Sequence, residues 1–202
     1  MRASLFAAPG VALAIVGISH PHSLTFSSSA RWTVIHVVGL VVFPLVGAAL
    51  AGLVWRRVDP LALLVVVGAY VYACAYTALD VIAGVAAGYV SFRSGPDTPR
   101  PDEVGYLFDI GNQLGTVGGW ALLGAATAVA VDQVSRHRLS ALVPSLLLVG
   151  AAVSFLDSHI YPWRGVVTVL TIGVATGWLA SMTAGSGQNN RADGSSIPRR
   201  AS

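Results

Sequence analysis

Two histidines, His20 and His22, stand in the stretch ISHPHSLT directly after the first apolar run of the chain. Asp157 and His159 repeat the same two-residue offset in DSHIYPW, and His36 lies inside a second apolar run. Neutral imidazoles and carboxylates are ligands of zinc, non-haem iron, manganese and copper(II). The expected metal set is therefore His20, His22, His36, Asp157 and His159, holding a divalent ion: zinc first, with iron, manganese or copper as other choices. Soft ligands are missing near these residues, since Cys74 lies within an apolar block and Met1 and Met182 fall at other depths. No HExxH and no CxxC occurs.

A metal beside carboxylates lowers the pKa of its bound water and can hydrolyse an ester or amide. In that scheme Asp80 and Asp109 supply the general base and Arg164 holds an anionic headgroup, so the substrate is a lipid or another membrane-associated molecule. Tyr72, Tyr76 and Asp80 recur at four-residue spacing, which puts them on one helix face and lets Tyr76 orient Asp80. Two other readings use the same residues. His36 and His159 could ligate a b-type haem for electron transfer, or the polar layer could be a plug in a non-catalytic carrier or accessory subunit. Each residue also has a plainer role: a helix cap, an ion-pair partner, or a core histidine bonded to a carbonyl. His137, in the basic run SRHRL, reads as a surface residue.

The elements that position these groups follow from composition. The chain of 202 residues is 54% hydrophobic and 10% charged, with mean hydropathy +0.70. Soluble domains carry roughly 25% charged residues, so this chain cannot cover its own surface with charge and lipid must cover it. Every backbone amide in lipid needs an internal partner, which selects helices. The expected fold is all-α: a polytopic transmembrane bundle of six helices over 4–19, 32–55, 61–90, 104–131, 139–158 and 166–182. Residues 1–183 form that domain, and 184–202, rich in Gly, Ser, Asn and Arg, form a disordered cytoplasmic tail. Pro60 suits the first turn of its helix, and Pro44 predicts a kink.

Depth arithmetic brings the chemistry together. At ~1.5 Å per residue, some 20 residues cross the ~30 Å hydrocarbon layer. Counting along each segment places His20, His22, His36, Asp80, Asp109, Asp157, His159 and Arg164 near one level. Arginine placement orients that level, because cytoplasmic loops carry the positive excess. The chain has no lysine; eight arginines (Arg2, Arg56, Arg57, Arg136, Arg138, Arg191, Arg199 and Arg200) fall at one set of ends, against Arg31, Arg93, Arg100 and Arg164 at the other. Both termini are therefore expected in the cytoplasm and the His/Asp layer outside, in the plasma membrane of a bacterium. Scattered arginines give no nucleic-acid face. Trp32, Tyr161 and Trp163 read as interfacial anchors.

Glycines recur every fourth residue at Gly111, Gly115 and Gly119, and at Gly84 and Gly88. That spacing lets helix backbones approach closely, inside the bundle or across a homo-oligomer contact. Gly17 and Ser19 before His20 also allow signal-peptidase cleavage, which would make His20 a new N-terminus.

Overall fold

The structure, a computed structural model, describes residues 2–96, 99–158 and 163–193, with side-chain burial for 3–182 of these. His159 and Tyr161 lie outside the described residues. The described chain is helical, with no strand: α1 (Arg2–Ile18), α2 (Ser29–Leu53), α3 (Pro60–Leu79), a π-helical segment (Asp80–Ala86), α4 (Ala87–Arg93), α5 (Asp102–His137), a 3-10 turn (Arg138–Ala141), α6 (Leu142–Ser158) and α7 (Arg164–Asp193).

Four helical stretches are long and apolar enough to cross a membrane: Ser29–Leu53, Pro60–Arg93, Asp102–Ser158 and Arg164–Met182. Ala3–Ile18 is a shorter apolar helix. The six segments expected from the sequence are thus not each matched by a long apolar helix of its own: the first is short, and the fourth and fifth fall within the one stretch Asp102–Ser158, joined by the 3-10 turn. The chain reverses there all the same. Arg138 has φ +54°, and α5 and α6 pack along one another.

Neighbouring elements pack in chain order, and α1 closes the ring against α7. Small residues make that closure possible. A Cβ on Gly10 would strike the backbone of Val169 and Gly173, and one on Gly177 would lie 2.9 Å from the Ala3 carbonyl. Thr176 Oγ1 donates to the Phe6 carbonyl at 3.0 Å across the same seam. The recurring glycines are used inside the bundle: Gly111 meets Ala83, Gly88 meets Thr33, and Gly119 meets Leu156. Pro60 begins α3 behind Asp59, whose carboxylate accepts from the Ala62 amide at 3.2 Å. Pro44 sits within α2, which continues past it.

α7 extends to Asp193, and residues 194–202 of the expected tail lie outside the described residues. Once a helix exists, each added residue contributes a hydrogen bond without a new nucleation step. The stretch Pro60–Arg93 has 34 residues, roughly 50 Å of helix, which exceeds the ~30 Å hydrocarbon layer. Its far end packs with α5. There Leu24, Trp32, Ala87 and Val104 form a small core of their own, separate from the main one.

Candidate functional site

The junction between the main bundle and this small core holds a cavity of about 100 Å3. His20 reaches it from the α1–α2 loop, Trp32 and His36 from α2, Tyr76 from α3, Asp80 and Ala83 from the π-helical segment, and Phe108 and Asn112 from α5. Asn112 is exposed, so the cavity opens beside it.

Glycines admit the polar side chains. His36 rests on Gly84, where a Cβ would overlap the imidazole, and Asp80 rests on Gly39, where a Cβ would overlap the carboxylate. Each helix thus gives up a side chain where the other inserts one. The π-helical segment begins at Asp80 and contains Gly84. Such segments are rare and collect at functional sites. Trp32 Nε1 donates to the Ala83 carbonyl at 3.0 Å, tying α2 to that segment.

Both histidines are oriented by backbone carbonyls. His36 Nδ1 donates to the Trp32 carbonyl at 2.7 Å and His20 Nδ1 donates to the Pro21 carbonyl at 2.8 Å. A carbonyl only accepts, so each ring carries its proton on Nδ1 and its lone pair on Nε2. The rings lie 5.4 Å apart between centroids and both contact Trp32, at 4.8 and 4.9 Å. Burial, the largest influence on His20, holds its imidazole below the ordinary value, and the nearby His22 adds to this; the Pro21 carbonyl works the other way. Asp80 is 1% exposed and its Oδ2 has no hydrogen-bond partner among the described residues. Beneath the cavity, Phe43, Tyr76 and Phe155 pack as an aromatic floor, with Tyr76 4.8 Å from Phe43 and 5.1 Å from Phe155.

The structure therefore brings His20, His36 and Asp80 to one cavity. Of the other expected site residues, His159 lies outside the described residues and the rest lie elsewhere. His22 is exposed, one residue past the turn that buries His20 and Pro21. Asp109 is exposed and lines an open depression with Arg100 and Tyr106. Asp157 and Arg164 are exposed and face each other at 3.8 Å on the surface. The helices that carry them turn these side chains outward. Among the described residues, no three His, Cys, Asp or Glu side chains come within reach of a single metal ion. Trp32, expected as an interfacial anchor, is 4% exposed and belongs to the site. Phe108 and Asn112 also line it without having been singled out. Their only sequence signal is spacing: Phe108, Gly111 and Asn112 share one face of α5.

At the opposite end, a second polar cluster forms around Asp132, which is 1% exposed. Arg57 reaches Asp132 Oδ2 and Asp59 Oδ2, both at 2.6 Å, and Arg136 Nε donates to Asp132 Oδ1 at 2.8 Å. Gln133 Nε2 donates to the same carboxylate at 3.2 Å. The arginines had been read as orientation signals alone.

No family model, no curated protein and no solved structure matches this chain.

Proposed function

We propose that this chain is a six-crossing membrane protein whose outward-facing cavity binds a divalent transition-metal ion through His20 and His36, with Asp80 hydrogen-bonded to a water on the ion. The arginine excess at the other end supports the orientation, with both termini cytoplasmic. The shorter Ala3–Ile18 and the reversal at Arg138 support the two crossings beyond the four long stretches.

One observation carries the metal reading: two imidazoles side by side, each with Nδ1 fixed on a carbonyl, so that Nε2 is the nitrogen that carries the lone pair. Metal-ligating histidines are held in this way. Asp80 then serves through water rather than as a direct ligand, because no three such side chains among the described residues come within reach of one ion. A cavity of about 100 Å3 accommodates an ion with two or three waters, at ~30 Å3 per water. It is too small for a haem or a lipid acyl group, since pockets for sizeable ligands run to ~300–1,000 Å3. The function is thus metal binding or delivery, not lipid hydrolysis.

The test is metal analysis of detergent-purified protein after loading with zinc or copper(II) and desalting, alongside an absorbance scan. About one ion per chain is expected, falling to background in His20→Ala and in His36→Ala but retained in His22→Ala, whose side chain lies outside the cavity. Equal metal content in the wild type and both cavity variants would overturn the reading. A Soret band would select haem instead.

A further inference from the structure

The end of the bundle away from the cavity presents charge that the fold does not use. Four arginines sit in or beside its two loops: Arg56, Arg57, Arg136 and Arg138. Arg57 and Arg136 are held by Asp132 and Asp59. Arg56 and Arg138 are exposed and make no ion pair among the described residues. Four positive groups less two carboxylates leaves two charges, and these two arginines carry them.

Both also hold an uncommon backbone shape, φ +65° at Arg56 and +54° at Arg138, a region that favours glycine. The side chains next to them are apolar and almost wholly out of the protein. Val58 is 97% exposed, Leu139 82% and Trp55 74%. Guanidinium groups interleaved with projecting Trp, Val and Leu match the depth where lipid headgroups meet acyl chains.

We propose that Arg56 and Arg138 form a binding site for the phosphate of an anionic phospholipid. The two guanidiniums engage the phosphodiester by charge-assisted hydrogen bonds. Trp55, Val58 and Leu139 lie along the upper acyl chains. The Asp132 cluster is the positioning element: it ties the α2–α3 loop to the last turn of α5 and so holds the two loops side by side. A free anion would have no use for the apolar side chains, and a soluble acidic partner would leave them in water. This site is separate from the cavity and stands whether or not the cavity holds a metal.

The test is native mass spectrometry of the detergent-purified full chain mixed with phosphatidylglycerol or phosphatidylcholine. Using purified protein separates lipid binding from the part arginines play in membrane orientation. The wild type is expected to retain phosphatidylglycerol at least fivefold over phosphatidylcholine. The Arg56→Gly, Arg138→Gly double variant should lose that preference while keeping its helix content and thermal midpoint, because glycine suits both backbone positions. Arg56→Lys with Arg138→Lys should keep part of it. Equal retention of the two lipids by the wild type, or an unchanged preference in the glycine variant, would overturn the proposal. Release of phosphatidylglycerol by millimolar inorganic phosphate would also overturn it, by showing a site for the bare anion.

Discussion

His36 lies against the α-carbon of Gly84 so closely that any side chain there would occupy the space of the imidazole. The contact sets both the ring position and the spacing of α2 from the π-helical segment. Gly84→Ala is therefore expected to destabilise the protein by ~1–3 kcal/mol through overpacking and to reduce metal loading. Gly124→Ala is the comparison. A Cβ at Gly124 meets nothing within 4 Å, so helix propensity should raise stability by up to ~1 kcal/mol. Thermal unfolding of both variants in the same detergent checks the pair. Similar midpoints would mean that the Gly84 contact can relax.

Asp80 presents the opposite case, a buried acceptor whose Oδ2 has no donor among the described residues. Asp80→Leu keeps the branched shape against Gly39 and removes the polar atoms. In the metal-free protein it should raise stability by ~1–3 kcal/mol, the scale set by an uncompensated buried polar group. Metal affinity should fall roughly tenfold or more, as it does when a group supporting the metal's shell is lost. Stability is read in EDTA and affinity by titration. A loss of stability in EDTA would show that the carboxylate is satisfied in the apo protein.

Trp32 joins these two features, since its indole donates to the Ala83 carbonyl inside the π-helical segment. Trp32→Phe keeps an aromatic wall and removes the donor. The orphaned carbonyl should cost ~1–3 kcal/mol, concentrated locally. Hydrogen exchange of amides over 80–90 should quicken, whereas α7 should be unchanged. Uniform quickening throughout the chain would mean that the bond supports the whole bundle rather than the segment.

Much of this arrangement was readable in the sequence, and the part that was not has a definite cause. Apolar runs located the helical stretches, and a rise of ~1.5 Å per residue put His20, His36 and Asp80 at one depth. Depth does not fix direction. The same count assigns Asp109 and Asp157 to that level, yet both are exposed, because direction depends on how each helix is rotated about its own axis. The π-helical segment further shifts the register after Asp80, and no residue pattern announced it. Trp32 looked like an anchor because aromatic residues near a span end usually are; its indole found a carbonyl instead. The Arg57–Asp132 pair joins residues 75 positions apart, which only a closed bundle brings together.

His20 makes stability depend on pH. It lies in the loop after α1, and burial holds its imidazole below its ordinary value of 6.5. Near pH 6 the unfolded chain then binds more protons than the folded one, so stability rises with pH. The contribution is complete above about pH 6.5 and declines as pH falls. In EDTA, the thermal midpoint of the wild type should drop between pH 7 and pH 5 more steeply than that of His20→Gln, which has no ring to protonate. Parallel slopes would place the pH sensitivity in another group.

The Asp132 cluster yields the sharpest contrast between two carboxylates that share one arginine. Asp132 is 2% exposed by its side chain and is held by Arg57, Arg136 and Gln133, whereas the Asp59 side chain is 41% exposed. The arginines left behind reach water, Arg136 at 49% exposed, so Asp132→Ala is expected to cost ~1.5–3 kcal/mol, the scale of lost hydrogen bonds to a charged group. Arg57 would keep only Asp59, and Arg136 would lose its partner. Asp59→Ala should have a much smaller effect, since water screens that pair and the Ala62 amide it caps lies in the first turn of α3. Denaturation of both variants in detergent measures the difference. Comparable losses would mean that Asp132 is solvated through the loops and that the cluster does not hold the two ends of the α2–α3 and α5–α6 connections together.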